Sequence, residues 1–227
     1  MPTGFQIFYV EKFPSFEKNT VSTSTQLLIV DPKGNDNKSD KHSKITKTNQ
    51  IVLDYEKFLI YHETDKKLRY RLHERIFNHL IEIHEFNAYY SSSYKRLIIQ
   101  APKELACDAI RTFKREKILI AEQKEIDYKL VLERAKNVFG NWFGNLPPGR
   151  VKTIAIFGDH VDLSNQYSEL IEAGAKLKFV ILELKINGKL YKIGISKNRG
   201  ITFYEKLDLL EELELINNIH TWFEEKG

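Results

Sequence analysis

Four side chains in the last third of the chain are of the types that phosphodiester chemistry uses: Asp159, Asp162, Glu183 and Lys185. Two carboxylates hold Mg2+ through hard oxygen ligands, and a lysine beside them stabilises charge or orients the attacking water. Glu183 and Lys185 are two apart in a segment that reads as a strand, which puts both side chains on one face. Asp159 follows an earlier strand, Val151 to Phe157. Its neighbour His160 has the ring of a general acid or base, although a loop histidine is more often a solvated one.

The elements that must position these groups follow from pattern and punctuation. Leu163 to Ala173 predicts a helix stopped by Gly174, and Leu177 to Ile186 predicts a strand. A right-handed crossover through that helix would make the two strands parallel neighbours and carry Asp159 toward the later part of the second. Asn187-Gly188 reads as a two-residue hairpin turn, returning the chain through Leu190 to Ser196, and Ile201 to Tyr204 is a further strand. The hairpin also offers a purely structural account of the acid. Stepping back from the turn puts Glu183 opposite Lys192, an ordinary cross-strand pair. Asp162 then serves as a helix N-cap or first-turn acid, and Asp159 as a turn residue.

The run Asp159 … Glu183-Leu184-Lys185 resembles the Asp … Glu-x-Lys signature of the PD-(D/E)xK nuclease superfamily. The resemblance implies a metal-dependent nuclease, with Asp159 and Glu183 as ligands of Mg2+ and Lys185 as the catalytic lysine. In that superfamily the two strands are usually joined as a hairpin, whereas a helix intervenes in this sequence.

Charge is the second signal. The net charge of +4 is unevenly distributed. Tyr94 to Lys117 carries seven basic residues against three acidic ones, and Lys176 to Arg199 carries seven against Glu183 alone. Glu205 to Gly227 reverses the sign, with seven acidic residues against two basic. Lys95, Arg96, Arg111, Lys114 and Arg115 in the first segment are candidate phosphate contacts. So are Lys176, Lys178, Lys189, Lys192, Lys197 and Arg199 in the second. The leading expectation is a nucleic-acid-binding protein, acting as a subunit of a larger prokaryotic or mobile-element assembly, defence assemblies included. The alternatives are the Mg2+-dependent nuclease and a protein-interaction subunit that docks through its acidic C-terminal helix without touching nucleic acid. The abundance of Lys, Ile, Asn and Glu suggests a low-GC prokaryote.

The expected architecture is mixed α/β (α+β), with an N-terminal mixed part over residues 1–145 and a C-terminal β-α-β-β-β-α part over 150–227. Pro147-Pro148-Gly149 marks the boundary. In the first part, Phe5 to Phe13, Gln26 to Val30 and Ile51 to Phe58 read as strands. Residues 33–50 hold Ile45 as their one sizeable apolar side chain and read as a mobile loop. Leu68, Leu72, Ile76, Leu80 and Ile83 recur at three- and four-residue steps and predict a helix from about Asp65. Arg96 to Gln100 is a buried strand, and Pro102 opens a helix whose apolar side is Leu105, Ala109, Ile110 and Phe113. Ile118 to Ala121 reads as a strand. Tyr128, Val131, Leu132, Ala135, Val138, Phe139 and Trp142 predict a second amphipathic helix, and Leu207 to Phe223 a last one.

Several function classes lose support. The single Cys107 excludes a disulfide scaffold or multi-cysteine zinc site and reads as a packing residue. His62, His73, His79 and His84 share no spacing that would let them ligate one ion. No apolar run approaches the roughly 18–20 residues of a membrane span and no signal layout is present, so a cytoplasmic location is expected. Nucleotide-loop, dinucleotide and Gly-x-Ser-x-Gly fingerprints are missing.

Overall fold

β-Branched and aromatic side chains set most of the architecture, which is mixed α+β and strand-rich. The computed structural model describes residues 3–30, 36–67, 70–73, 75–77, 80–146 and 151–224. The chain divides into two units: residues 8–122, and residues 1–7 together with 123–227. The boundary expected at Pro147-Pro148-Gly149 lies outside the described residues, and the strands on either side of it pair with each other within the second of these units.

The unit of residues 8–122 is built on β1 (Thr3–Lys12, from Phe8 onward), β2 (Thr20–Val30), β3 (Asp36–Val52), β4 (Tyr55–Lys66), β5 (Tyr70–Leu72), β6 (Arg75–Phe77), β7 (Leu80–Ser91), β8 (Arg96–Ile99) and β9 (Ile120–Glu122), with α1 (Lys103–Arg115). Its sheet runs β1-β8-β7-β4-β3-β2, with β9 paired to β1 and β5-β6 a separate hairpin. Ala106, Ala109, Ile110 and Phe113 of α1 close its core against Phe8, Ile45, Phe58, Ile60 and Leu97. Burying a side chain such as Phe113 contributes about 1.5–3 kcal/mol. The helix ends in a Schellman turn: Ile118 N donates to Phe113 O and Lys117 N to Lys114 O, with Lys117 at φ 55°.

Three expectations fail in this unit. Ile51 to Phe58, read as one strand, is the turn between β3 and β4, where Ile51 pairs with Glu56 and Val52 with Tyr55 around Leu53 at φ 53°. The tract read as a mobile loop is strand β3 from Asp36 onward, while residues 31–35 lie outside the described residues. A polar strand is stable there because β2 and β4 pair with it on both sides, supplying a ladder that side-chain hydrophobicity does not report. The helix expected from Asp65 is instead the end of β4, the β5-β6 hairpin and β7, with Leu68 outside the described residues. Leu80 and Ile83 of that stripe are both exposed, so these two do not form a buried helical face. In the second half of β7, Phe86 and Ala88 are buried at one strand parity and Tyr89 and Ser91 at the other, as in a strand covered on both faces.

The other unit contains the first residues of β1, β10 (Ala135–Gly144), β11 (Ile154–Phe157), β12 (Lys176–Ile186), β13 (Lys189–Ser196) and β14 (Ile201–Phe203), with α2 (Tyr128–Leu132), α3 (Asn165–Glu172) and α4 (Leu209–Glu224). The strand order is β11-β10-β12-β13-β14-β1, antiparallel throughout. Along the chain this gives β11-α3-β12-β13-β14-α4 from residue 154 onward. The helix expected over Tyr128 to Trp142 stops at Leu132. Beyond it Gly140 and the aromatic residues Phe139, Trp142 and Phe143 suit a bulged strand. That strand corrects a second expectation, because β10 stands between β11 and β12 and the crossover does not make them neighbours.

All three helices cover one face of this sheet. Tyr128 of α2 donates to Ile195 O, Tyr167 of α3 meets Phe143 edge-on, and Glu211 of α4 accepts from Tyr191. Val180, Leu182, Leu184, Ile193, Leu213, Ile216 and Ile219 fill the layer between.

Candidate nucleic-acid interface

The hairpin of β12 and β13 has the predicted register. Ile186 pairs with Lys189 and Glu183 with Lys192, across a turn in which Asn187 and Gly188 both have positive φ. Glu183 and Lys185 therefore share the face turned away from the helices. On its other side Glu183 pairs with Asn137 of β10. The Asn137 amide nitrogen donates to Asp159 Oδ1 at 3.2 Å, and its carbonyl oxygen accepts from the backbone N–H of His160 at 2.8 Å.

Asp159 in the bend after β11, Asn137 on β10 and Glu183 on β12 thus form a row, with an amide donor between the two carboxylates. That N–H takes one of the roughly four lone-pair sites of the Asp159 carboxylate. Among the described residues no group of three or more His, Cys, Asp or Glu side chains is placed to hold a metal ion.

The candidate phosphate contacts divide sharply by environment. Arg96 and Arg199 are 3% and 7% exposed. Arg96 reaches the Tyr55 hydroxyl, and Arg199 lies against His220 and the carbonyl of Glu125. Lys189 is paired with Glu211 at 2.6 Å and Lys197 with Glu125 at 2.6 Å. In the other unit Arg111 meets Asp108, and Arg115 meets Glu116 and the Thr25 hydroxyl. Lys95 and Lys114 are exposed there. Lys176, Lys178, Lys185 and Lys192 make no ion pair among the described residues, and they share the uncovered face of the second unit. The Lys178 stem lies over Gly144, and Lys192 Nζ lies 4.4 Å from the centroid of Phe139.

Between these lysines runs a feature the sequence reading missed. Phe157 on β11, Trp142 on β10 and Phe179 on β12 are consecutive across the sheet. Trp142 stands edge-to-face to both neighbours, at 4.7 and 5.2 Å. Tyr204, just after β14, continues the row over β13. Glycines make room for it: a Cβ at Gly194 would fall 2.4 Å from the Phe179 ring, and one at Gly140 would meet both Phe157 and Trp142 at 3.1 Å. Phe157 is 63% and Tyr204 38% exposed. In the sequence Phe139 and Trp142 had joined a helical stripe, so the only available signal was the alternation of Phe179, Ile181, Glu183 and Lys185 along β12.

A second polar constellation also escaped the sequence, because its members lie far apart along the chain. Ser43 Oγ is 2.8 Å from His62 Nδ1, and His62 Nε2 is 3.0 Å from Asp108 Oδ2. Burial pushes the His62 pKa down against the opposing pull of Asp108, so the ring is neutral at pH 7. Burial raises that of Asp108, but its hydrogen bond to His62 and the charges of Lys41 and Arg111 bring it below the usual carboxylate range. A neutral ring then donates to Asp108 and accepts from Ser43. The residue types are those of a nucleophile, base and orienting acid. Ser43 and His62 are 0% exposed, however, so no substrate reaches the hydroxyl, and the network serves to join β3, β4 and α1.

On the helix-covered side of the second unit, a groove of about 470 Å³ opens between Tyr128, Leu132, Asp162, Tyr167, Ile171 and Leu177. It lies on the opposite face from the lysines. No helix among the described residues is long and apolar enough to cross a membrane. No family model matches the chain, and no curated protein matches it.

Proposed function

We propose that this protein binds nucleic acid, through the uncovered sheet face of the unit formed by residues 1–7 and 123–227. The observation that carries the reading is the set of Lys176, Lys178, Lys185 and Lys192 on that face. None of the four is neutralised by an ion pair among the described residues, while the acidic helix α4 spends Glu211 on Lys189 and Tyr191. Unpaired ammonium groups on a sheet neutralise phosphates and release counterions, which is the sequence-independent part of nucleic-acid affinity. Glu183 and Glu205 lie close by, and Glu125, held below the usual carboxylate range chiefly by Lys197, also feels the charges of Lys178 and Lys176, so the net positive charge of the face is modest.

Fluorescence anisotropy with labelled oligonucleotides, titrated over salt, tests the reading. Wild-type affinity should fall steeply with salt. Lys178→Glu combined with Lys192→Glu should weaken binding and flatten the log–log slope by at least one, since each phosphate contact adds about 0.7–0.9 to it. Unchanged affinity in the double variant would remove the surface from consideration. Running the titration with Mg2+ also tests the nuclease alternative: shortening of the probe that is lost in Glu183→Gln would favour it.

A further inference from the structure

We infer that the aromatic row of Phe157, Trp142, Phe179 and Tyr204 is a stacking platform for unpaired bases, so that the preferred ligand is single-stranded nucleic acid. The inference rests on the nucleic-acid reading above and names its substrate class.

Three features of the face lead there. The row runs across the strands, not along one. With strands about 4.8 Å apart, four of them span roughly 14 Å, a length that suits two or three bases on an open sheet. Glycine occupies the positions beneath the rings, Gly140 and Gly194, which lets Phe157, Trp142, Phe179 and Tyr204 crowd against the backbone with no competing side chain. The lysines then flank the row on both sides. Lys176 and Lys178 precede Phe179 along β12, and Lys192 stands at the other margin with its Nζ 4.4 Å from the centroid of Phe139, whereas Lys185, about 20 Å further along β12, lies beyond the row. A strand laid along the row with its bases on the rings would bring its phosphates to ammonium groups at either margin.

Charge alone would suit any polyanion, duplexes included. Aromatic faces add selectivity because a duplex keeps its bases stacked on one another, whereas an unpaired base offers a free π-face. Every base has such a face, so strong sequence preference is not expected. The exposed ends of the row, Phe157 and Tyr204, are the rings to alter, since they can be truncated with little cost to the interior.

The experiment uses the full chain and three labelled probes of equal length: an oligothymidylate, the same strand in duplex, and a strand of abasic sites that retains every phosphate. The oligothymidylate should bind more tightly than either of the others. Phe157→Ala and Tyr204→Ala should each weaken it about fivefold or more, toward the abasic level, with the salt slope unchanged. Equal affinity for the abasic and normal strands, or unchanged binding in both alanine variants, would overturn the platform. If Lys178→Glu plus Lys192→Glu still weakened every probe in that case, the phosphate-binding reading would stand without it. Absence of binding to all three probes at low salt would overturn both.

Discussion

The ammonium of Lys192 rests 4.4 Å from the centre of the Phe139 ring, although Glu183 is its register partner across the hairpin. The cation has exchanged a cross-strand carboxylate for an aromatic face, an interaction that contributes about 0.5–1 kcal/mol at an exposed site. Glu183 therefore contributes little to the fold. Glu183→Gln should leave the urea midpoint within about 0.5 kcal/mol of wild type, as expected for a surface change with no partner lost. A destabilisation well above 1 kcal/mol would show that the carboxylate and Lys192 pair in solution after all.

The sealed Ser43–His62–Asp108 network predicts a pH dependence with a definite sign. Burial holds the folded-state pKa of His62 below the ordinary 6.5, so the unfolded chain takes up the proton first as pH falls. Stability is greatest above pH 6.5, declines from there to the folded-state value, and then levels. Asp108, also depressed, adds a loss of the same sign only below its ordinary 3.8. Thermal melts of wild type and His62→Gln between roughly pH 5 and 7.5 should show a steeper fall for wild type. Parallel profiles would mean that the imidazole is hydrated in the folded protein.

Asn141 is fully buried on β10, and neither its amide nitrogen nor its carbonyl oxygen has a partner among the described residues. An amide taken from water without a hydrogen bond costs about 1–3 kcal/mol by protein mutational measures. Its pairing with Val180 and Ile156 places it among branched apolar side chains, where Val is close in volume and favoured by a strand. Asn141→Val should raise stability by about 1–2 kcal/mol, read as a shift in urea midpoint at constant m-value. A destabilised variant would show that the amide finds a partner in solution.

Much of the second unit was legible because its signals are local. Asn187-Gly188 fixes the hairpin register by turn geometry alone, and Pro102, with Leu105, Ala109, Ile110 and Phe113, identifies α1 in the other unit in the same way, with Ala106 in place of Leu105 in the buried stripe. The failures were non-local. Nothing within Lys38 to Thr48 distinguishes a solvated tract from a strand whose both edges are paired, because the partners that satisfy its backbone sit in β2 and β4. Counting charges identified the segment from Lys176 to Arg199 but not which cations face water. Arg199 looks like its neighbours in the sequence and is buried against His220 in the fold. The aromatic row was hidden because its members come from three strands and the residue after a fourth, so that no window of the sequence contains them together.

One consequence lies in the order of synthesis. The unit of residues 8–122 is an uninterrupted stretch of chain, whereas the other needs residues 1–7 together with everything after 122. As the polypeptide leaves the ribosome, the first unit is complete when residue 122 emerges, and N-terminal units generally fold first during synthesis. Phe5, meanwhile, must wait for Ile201 and Phe203, its partner and ring neighbour in β14, to be made almost two hundred residues later. Until then the β14 side of that strand end, rich in apolar side chains, has no partner. Chains stalled at successive lengths and probed by pulse proteolysis would show protection of 8–122 first, with protection of the opening residues arriving only once β14 has cleared the exit tunnel.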